Sequence, residues 1–258
     1  MSFFLRHVLP ITYFQATRLN RWELVGYNAL VEWLPAFALS LFYNNFEFSI
    51  VPLVLLSYLA FISIYEIGYI TNDFFSERFE NDPRGRAEKL DTTSLIVFLL
   101  IGTRLLYFLV FSYILGALGN PLWWAFHGTL LLTFGLHNSI PSEMRIPTFF
   151  GLSTFRFLAP VILTLKLPLL AILLPTIMIN NSLYRVTVYL RNKDSSKKQV
   201  GQNIKFKLVF YVGCLPFSIL LSVIFGSILP IGVCLYFFLV WLFYWTISKR
   251  RGNEFEAA

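Results

Sequence analysis

Carboxylates gather in one stretch of the chain, YEIGYITNDFFSERFENDPRGR at residues 65–86. If a helix runs through residue 80, Glu66, Asp73, Glu77 and Glu80 lie within about 60° of one another on one face. Carboxylates this close repel one another unless a cation lies between them, and Mg²⁺ prefers such hard oxygen ligands. Because protein-bound Mg²⁺ is usually shared with substrate phosphates, the stretch indicates a phosphate-handling metal site.

A solvated loop is the alternative interpretation of the same charges. In that case the charged side chains pair with one another and with water: Glu77, Arg78, Glu80, Arg84 and Arg86. Glu66 favours the functional interpretation, because an acid inside the apolar run YLAFISIYEIGYI is costly in a membrane helix.

Arginines inside or beside apolar runs are the second group that could do chemistry. Arg145, in HNSIPSEMR, is a candidate for binding phosphate. Arg104, Arg156 and Arg185 lie within apolar runs, where a charge normally faces the bundle interior or a partner. Two roles are open for these three arginines: structural pairing with an intramembrane acid, such as Arg104 with Glu32, or substrate binding.

The elements that must position these residues are membrane helices. The 258 residues are 57% hydrophobic and only 14% charged, which is typical of membrane proteins. About 20 apolar residues cross a bilayer, and the apolar runs cover residues 24–43, 50–70, 95–117, 122–138, 149–165, 168–189, 208–226 and 228–247. We therefore expect an all-α integral membrane protein, one domain over residues 1–258, with a bundle of eight or nine transmembrane helices.

The distribution of Lys and Arg predicts the topology. Basic residues concentrate in alternate connections, which for an even number of spans predicts that both termini are cytoplasmic, together with polar loops at 71–94 and 190–207. Residues 1–21 mix apolar residues with arginines and are expected to form an interfacial segment.

The predicted topology, rather than nucleic-acid binding, accounts for the net charge of +7. Neither the two cysteines nor the three histidines have the spacing of a metal site.

The string N72-D-F-F-S-E-R-F-E80 resembles the first aspartate-rich motif of the UbiA superfamily of intramembrane prenyltransferases, commonly written NDxxDxxxD. Asn72 and Asp73 match it, Glu80 stands for the last aspartate, and Ser76 replaces the middle one. The resemblance implies a helical bundle around a central cavity, in which this motif binds Mg²⁺ and a prenyl diphosphate.

The second motif of that family is altered in this chain. Over residues 180–194, Asn181 and Tyr184 can be aligned with it, but Val188 and Asn192 occupy positions of aspartates. Basic residues follow instead, beginning with Arg185, and they could bind phosphate directly in place of a second metal. The alternative for the lysine-rich part is an ordinary polybasic cytoplasmic loop.

We expect a UbiA-type transferase that acts on an isoprenoid or polyprenyl phosphate or diphosphate in the bilayer, with Mg²⁺-assisted loss of diphosphate. The expected metal ligands are Asn72, Asp73 and Glu80, the catalytic acids Asp73, Glu77 and Glu66, and the substrate-binding residues Arg84, Arg86, Arg145, Asn181, Tyr184 and Arg185. One alternative is a phosphoribosyl- or glycosyl-type transferase with polyprenyl phosphate as acceptor. Another is a non-catalytic lipid-binding or scaffold protein of the membrane.

Overall fold

The computed structural model describes residues 3–19, 22–76, 93–193 and 204–250. All regular elements in these ranges are helical, as the sequence predicts. They form two compact units, one ending at Leu165 and the other beginning at Lys166. The single domain over residues 1–258 stays a prediction.

The described residues of the first unit form eight α-helices: α1 Phe3–His7, α2 Thr12–Arg18, α3 Trp22–Asn28, α4 Leu34–Tyr43, α5 Ile50–Thr71, α6 Ser94–Ile114, α7 Pro121–Ser139 and α8 Ile146–Leu158. π-helical turns at Ala29–Trp33 and Asn72–Ser76 follow α3 and α5. Helix α5 packs against both α6 and α7, and α2 packs against α5. Helix α5 is therefore the element around which the site residues of this unit are arranged.

The second unit contains α9 Leu167–Ile177, α10 Leu183–Lys193, α11 Ile204–Phe225 and α12 Leu229–Arg250. A π-helical turn, Met178–Ser182, joins α9 to α10. It follows Pro175, which lies inside α9 and cannot donate a backbone hydrogen bond. Helices α11 and α12 form the closest packed pair of this unit.

Six helical segments of the described ranges are long and apolar enough to cross a membrane: Leu24–Tyr43, Ile50–Phe75, Ser94–Ile114, Leu167–Leu190, Ile204–Phe225 and Leu229–Ile247. These six support a multi-pass integral membrane protein. The runs at 122–138 and 149–165 are not among them. Helix α8 has only 13 residues and is followed by turns from Ala159, so it is about 20 Å long against a hydrocarbon core of about 30 Å. The count of eight or nine, and the orientation of the termini, stay predictions.

The helices of the first unit expose apolar side chains and bury polar ones. On α6, Leu95, Phe98, Leu106 and Tyr113 are exposed, whereas Arg104 on the same helix is fully buried. This is the distribution expected in lipid, where hydrocarbon surrounds the protein and ionisable groups face the interior.

The N-terminal segment contributes to the core of the first unit, and its position at the membrane interface stays a prediction. Tyr13 and Phe14 of α2 are buried in the core of the first unit. The helix begins after Ile11, whose φ of 74° lies in the left-handed region that a β-branched residue rarely adopts. Tertiary contacts must therefore hold α2 in place.

Candidate functional site

Helix α5 and the π-helical turn that follows it supply the first two acids of the site. Glu66 and Asp73 are seven residues apart, about two helical turns, and both are buried with at most 1% of their surface exposed. The common face of these acids predicted from the sequence requires a regular α-helix through residue 80. The π-helical turn at Asn72–Ser76 corrects that assumption, because a π-turn rotates fewer degrees per residue. The remaining predicted residues of this stretch, Glu77, Glu80, Arg84 and Arg86, lie outside the described residues.

Asp73 is held by two side chains of α2. The Arg18 guanidinium donates from Nη2 to Oδ1 at 2.8 Å and from Nη1 to Oδ2 at 3.1 Å. The Tyr13 hydroxyl donates to Oδ2 at 2.9 Å. Arg18 also lies over the Tyr69 ring, 4.3 Å from its centroid. This two-pronged pair is the strong geometry for an arginine and a carboxylate.

Glu66 is held by Arg104 and by the backbone of α2. Arg104 Nε donates to Glu66 Oε2 at 2.5 Å, and the Phe14 amide donates to Oε1 at 2.7 Å. The other nitrogens of Arg104 donate to the carbonyl oxygens of Val8 and His7. The buried pair therefore fixes the chain between α1 and α2.

Glu32 pairs with Arg156, so the suggested pairing of Arg104 with Glu32 is wrong. Arg156 Nη2 lies 2.9 Å from Glu32 Oε2 and donates to Asn28 Oδ1 at 2.7 Å. Arg104 and Arg156 each contact an acid, as the structural alternative for arginines within apolar runs predicts. The competing role in substrate binding stays a prediction. Which acid each one contacts depends on how α6 packs against α5 and how α8 packs against the π-helical turn at Ala29–Trp33, and spacing along the chain does not encode that.

The three pairs, Arg18–Asp73, Arg104–Glu66 and Arg156–Glu32, form what we call the ion-pair cluster. The Phe14 ring stacks on the Tyr69 ring at 5.7 Å and lies 5.2 Å from the Arg156 guanidinium. Phe14 thus contacts members of two of the pairs, Glu66 through its amide and Arg156 through its ring. Its link to the third pair is indirect, through Tyr69, which lies under Arg18. The cluster matches three arginines with three carboxyl side chains, so each acid has a counter-ion partner.

Asn72 and Asp73 are the two predicted Mg²⁺ ligands that the structure describes. In these ranges no group of three or more Asp, Glu, His or Cys side chains is close enough together to hold a metal ion. The buried Oδ1 of Asn72, next to Asp73, accepts no hydrogen bond within the described chain. An unused amide oxygen beside a carboxylate suits a hard cation. However, Arg18 and Tyr13 already occupy Asp73, so this donor set fits Mg²⁺ only if Arg18 leaves.

Arg145 lies at the start of α8 and is buried. Its Nε donates to the carbonyl oxygen of Ile140 at 3.1 Å, which closes the short connection between α7 and α8. Its proposed role in binding phosphate stays a prediction.

The predicted residues of the second motif lie in the second unit. Asn181 belongs to the π-helical turn after α9, and its Oδ1 accepts a hydrogen bond from Arg185 Nε at 3.0 Å. Tyr184 is buried, and its ring packs against those of Tyr211 and Trp241. These three residues therefore belong to one local cluster, and their roles toward a substrate stay predictions.

Arg18 and Tyr13 are the site residues that sequence reasoning missed. They lie in the segment expected at the membrane interface, where arginine and tyrosine are common. No spacing links them to Asp73, which is 55 and 60 positions further along the chain.

Two groups of the N-terminal segment have shifted pKa values. Burial lowers the pKa of His7, and the positive charges of Arg104 and Arg6 lower it further against the opposing effect of a hydrogen bond with the Thr12 backbone. Burial also acts to lower the pKa of the Arg18 guanidinium, but the hydrogen bonds and charge of Asp73 outweigh it and the net shift is upward. His7 is therefore neutral and Arg18 charged at neutral pH.

Comparisons with family models, curated proteins and solved structures found no match for this chain. The functional assignment therefore depends on the residues and their geometry.

Proposed function

We propose that this protein is a membrane-embedded transferase that acts on an isoprenoid or polyprenyl phosphate or diphosphate. The observation that carries the proposal is the buried position of Asp73, the aspartate of the NDFFS string, within a cluster of ionisable side chains inside apolar helices. Ionisable groups are expensive inside a membrane protein, and by default they mark a functional site.

In this proposal the end of α5 holds the phosphate-bearing end of the substrate. Asn72 and Asp73 supply oxygen ligands for Mg²⁺, together with Glu80 and Glu77 from outside the described ranges. Bound Mg²⁺ would neutralise the charge that develops on the leaving diphosphate. The nearest described cation to Asp73 is Arg18, whose planar guanidinium suits phosphate oxygens as well as carboxylates.

The test is turnover by the purified protein in detergent. Diphosphate release from radiolabelled prenyl diphosphates is measured with Mg²⁺ and an extract of native membranes as a source of acceptors. We expect turnover by the wild-type protein and a loss of about a hundredfold or more in Asp73→Asn, because the charged ligand of the metal is removed. Glu32→Gln is the matched control, since it neutralises another buried acid outside the motif. Equal activity of Asp73→Asn and wild type would contradict the proposal.

A parallel assay separates the donor types. The same protein is incubated with phosphoribosyl diphosphate and polyprenyl phosphate, and lipid-linked sugar is measured. If the protein consumes only this pair of substrates, the reaction it catalyses is sugar transfer to a lipid phosphate and not prenyl transfer.

A second candidate is a non-catalytic membrane protein in which the ion pairs are structural. The observation that favours it is that each arginine of the ion-pair cluster has a carboxylate within 3 Å. In that case neither donor is consumed, and Asp73→Asn and Glu32→Gln lower the thermal stability to a similar extent.

A further inference from the structure

The described residues of the first unit also form a cleft lined by α1, α2 and α3, which we call the N-terminal cleft. Its volume is about 440 Å³, within the range of ligand pockets in proteins. Helix α1 contributes Arg6 and His7 to the lining, and α3 contributes Trp22 and Val25. The remaining lining side chains belong to α2 and to the residue that follows it.

Helix α2 forms a fixed wall of this cleft. Tyr13 and Phe14 bury one face of the helix in the core. Thr12, Ala16 and Leu19 line the cleft and are spaced four and three residues apart, which places them on the opposite face. Core packing therefore holds the wall in place. Ala16 is exposed, and its small side chain leaves room for a ligand.

The lining of the cleft carries positive charge. Arg6 is exposed, and no carboxylate is present among the described lining residues. His7 is neutral at neutral pH, because burial lowers its pKa. Each arginine of the ion-pair cluster has a carboxylate, whereas Arg6 takes part in none of the described ion pairs. The cleft therefore suits a ligand with negative charge.

The cleft lies at the end of the first candidate span, Leu24–Tyr43. Val25 is in that span, and Trp22 lies just before it and is 83% exposed. Tryptophan is enriched where the bilayer meets water, at the level of the lipid head groups. A lipid head group is therefore the anionic ligand that this position favours.

We propose that the N-terminal cleft binds the phosphate head group of an anionic bilayer phospholipid. The Arg6 guanidinium binds phosphate oxygens, and the exposed Gln15 amide, which also lines the cleft, donates a further hydrogen bond. Trp22 and Val25 contact the carbon atoms next to the head group. The described lining offers no carboxylate for the ammonium group of a zwitterionic lipid. This site is independent of the proposed transfer reaction, because none of its residues is a predicted metal or substrate ligand.

The test is native mass spectrometry of the delipidated full chain, titrated with phosphatidylglycerol. We expect Arg6→Gln to bind the tightest lipid about five- to tenfold more weakly than wild type, because a charged hydrogen-bond donor is lost. Lys166→Gln is the matched control, since it neutralises an exposed cation outside the cleft, and it should keep the wild-type affinity. Equal affinities of Arg6→Gln and Lys166→Gln would overturn the proposal.

A second variant fills the cleft without changing its charge. Ala16→Phe should weaken the binding of phosphatidylglycerol by a similar factor. Ala125→Phe is its control, because it adds the same ring at an exposed position of α7. Thermal unfolding shows that each variant is folded. If Ala16→Phe and Ala125→Phe bind the lipid equally well, the ligand does not occupy the cleft and the proposal is overturned.

Competing ligands identify the source of the phosphate. Phosphatidylcholine should bind more weakly than phosphatidylglycerol, and inorganic phosphate should not displace the bound lipid. Equal binding of the two lipids, displacement by inorganic phosphate, or tighter binding of polyprenyl phosphate that depends on Arg6 would each overturn the proposal. The failure of the proposed function would look different, with binding of phosphatidylglycerol dependent on Arg6 but no donor consumed.

Discussion

Arg104 on α6 and Glu66 on α5 meet at 2.5 Å inside the first unit, and neither side chain is exposed. The same guanidinium binds the carbonyl oxygens of His7 and Val8. This pair therefore connects two membrane helices to the N-terminal segment that carries Arg18. The structure of the candidate site depends on it.

Breaking this pair from one side should be costly. Arg104→Leu leaves Glu66 buried without its counter-ion, and we expect the free energy of unfolding to fall by about 3–5 kcal/mol. Replacing both residues, as Arg104→Leu with Glu66→Leu, should recover much of that loss, because no unpaired charge is left buried. Thermal unfolding of the purified variants in detergent measures both. If the double variant is no more stable than the single one, the unpaired charge of Glu66 is not the cause of the loss.

The contact between α5 and α7 requires a glycine at position 68. A methyl group on Gly68 would overlap with the Phe134 ring, whereas a methyl group on Gly102 of α6 has open space. We expect Gly68→Ala to lower the free energy of unfolding by about 1–3 kcal/mol through overpacking. Gly102→Ala is the control and should be neutral or slightly stabilising. Replacing the ring by a smaller side chain, as Phe134→Leu, should restore part of the stability that Gly68→Ala loses. If it restores none, the overlap with Phe134 is not the cause of the loss.

The Tyr13 hydroxyl should contribute to stability through Asp73. Tyr13→Phe removes a hydrogen bond to a buried carboxylate and should lower the free energy of unfolding by about 1.5–3 kcal/mol. Tyr113→Phe is the matched control, because Tyr113 of α6 is 75% exposed and its hydroxyl can be lost with little effect. Thermal unfolding again provides the measurement, and equal effects of the two variants would argue against the contact.

The lowered pKa of His7 predicts a pH dependence of stability. The unfolded chain takes up a proton near pH 6.5, whereas folded His7 takes it up only at lower pH. The unfolded state therefore binds more protons between these two values, and stability falls as the pH drops below about 6.5. His7→Gln should have a flatter profile of unfolding temperature against pH between neutrality and mild acid. Identical profiles would show that His7 does not titrate in this range.

The cysteines of the second unit report on its packing. Cys214 and Cys234 are buried, and their thiols approach the carbonyl oxygens of Ile179 and Tyr211. A membrane-permeant maleimide should react with them only at the rate at which the unit opens. The control is Ile228→Cys in a variant whose two native cysteines are replaced by serine. Because position 228 is 80% exposed, the new thiol should react with the maleimide at once. Rapid labelling of the native cysteines would contradict their buried positions.

The class of the protein was predictable from the amino-acid sequence. Hydropathy depends on residues that are adjacent in the chain, so the apolar runs correctly predicted helices and a multi-pass membrane protein. The cost of burying charge in lipid indicated that Glu66, Arg104 and Arg156 face the interior; Glu66 and Arg104 are fully buried, and the Arg156 side chain is 12% exposed. Local chemistry sufficed for these inferences, because each depends on one segment and its surroundings in the bilayer.

The partners of these residues were decided only by the tertiary structure. Arg18 binds Asp73, Arg104 binds Glu66 and Arg156 binds Glu32 across separations that no spacing rule covers. The tertiary structure also decided where α8 ends, which makes it shorter than the apolar run at 149–165. The π-helical turn at Asn72–Ser76 gives its side chains directions that differ from those in a regular α-helix. The physical reason is that a charge in a dry interior takes whichever counter-ion the packed helices bring within about 3 Å, and packing is a property of the whole fold.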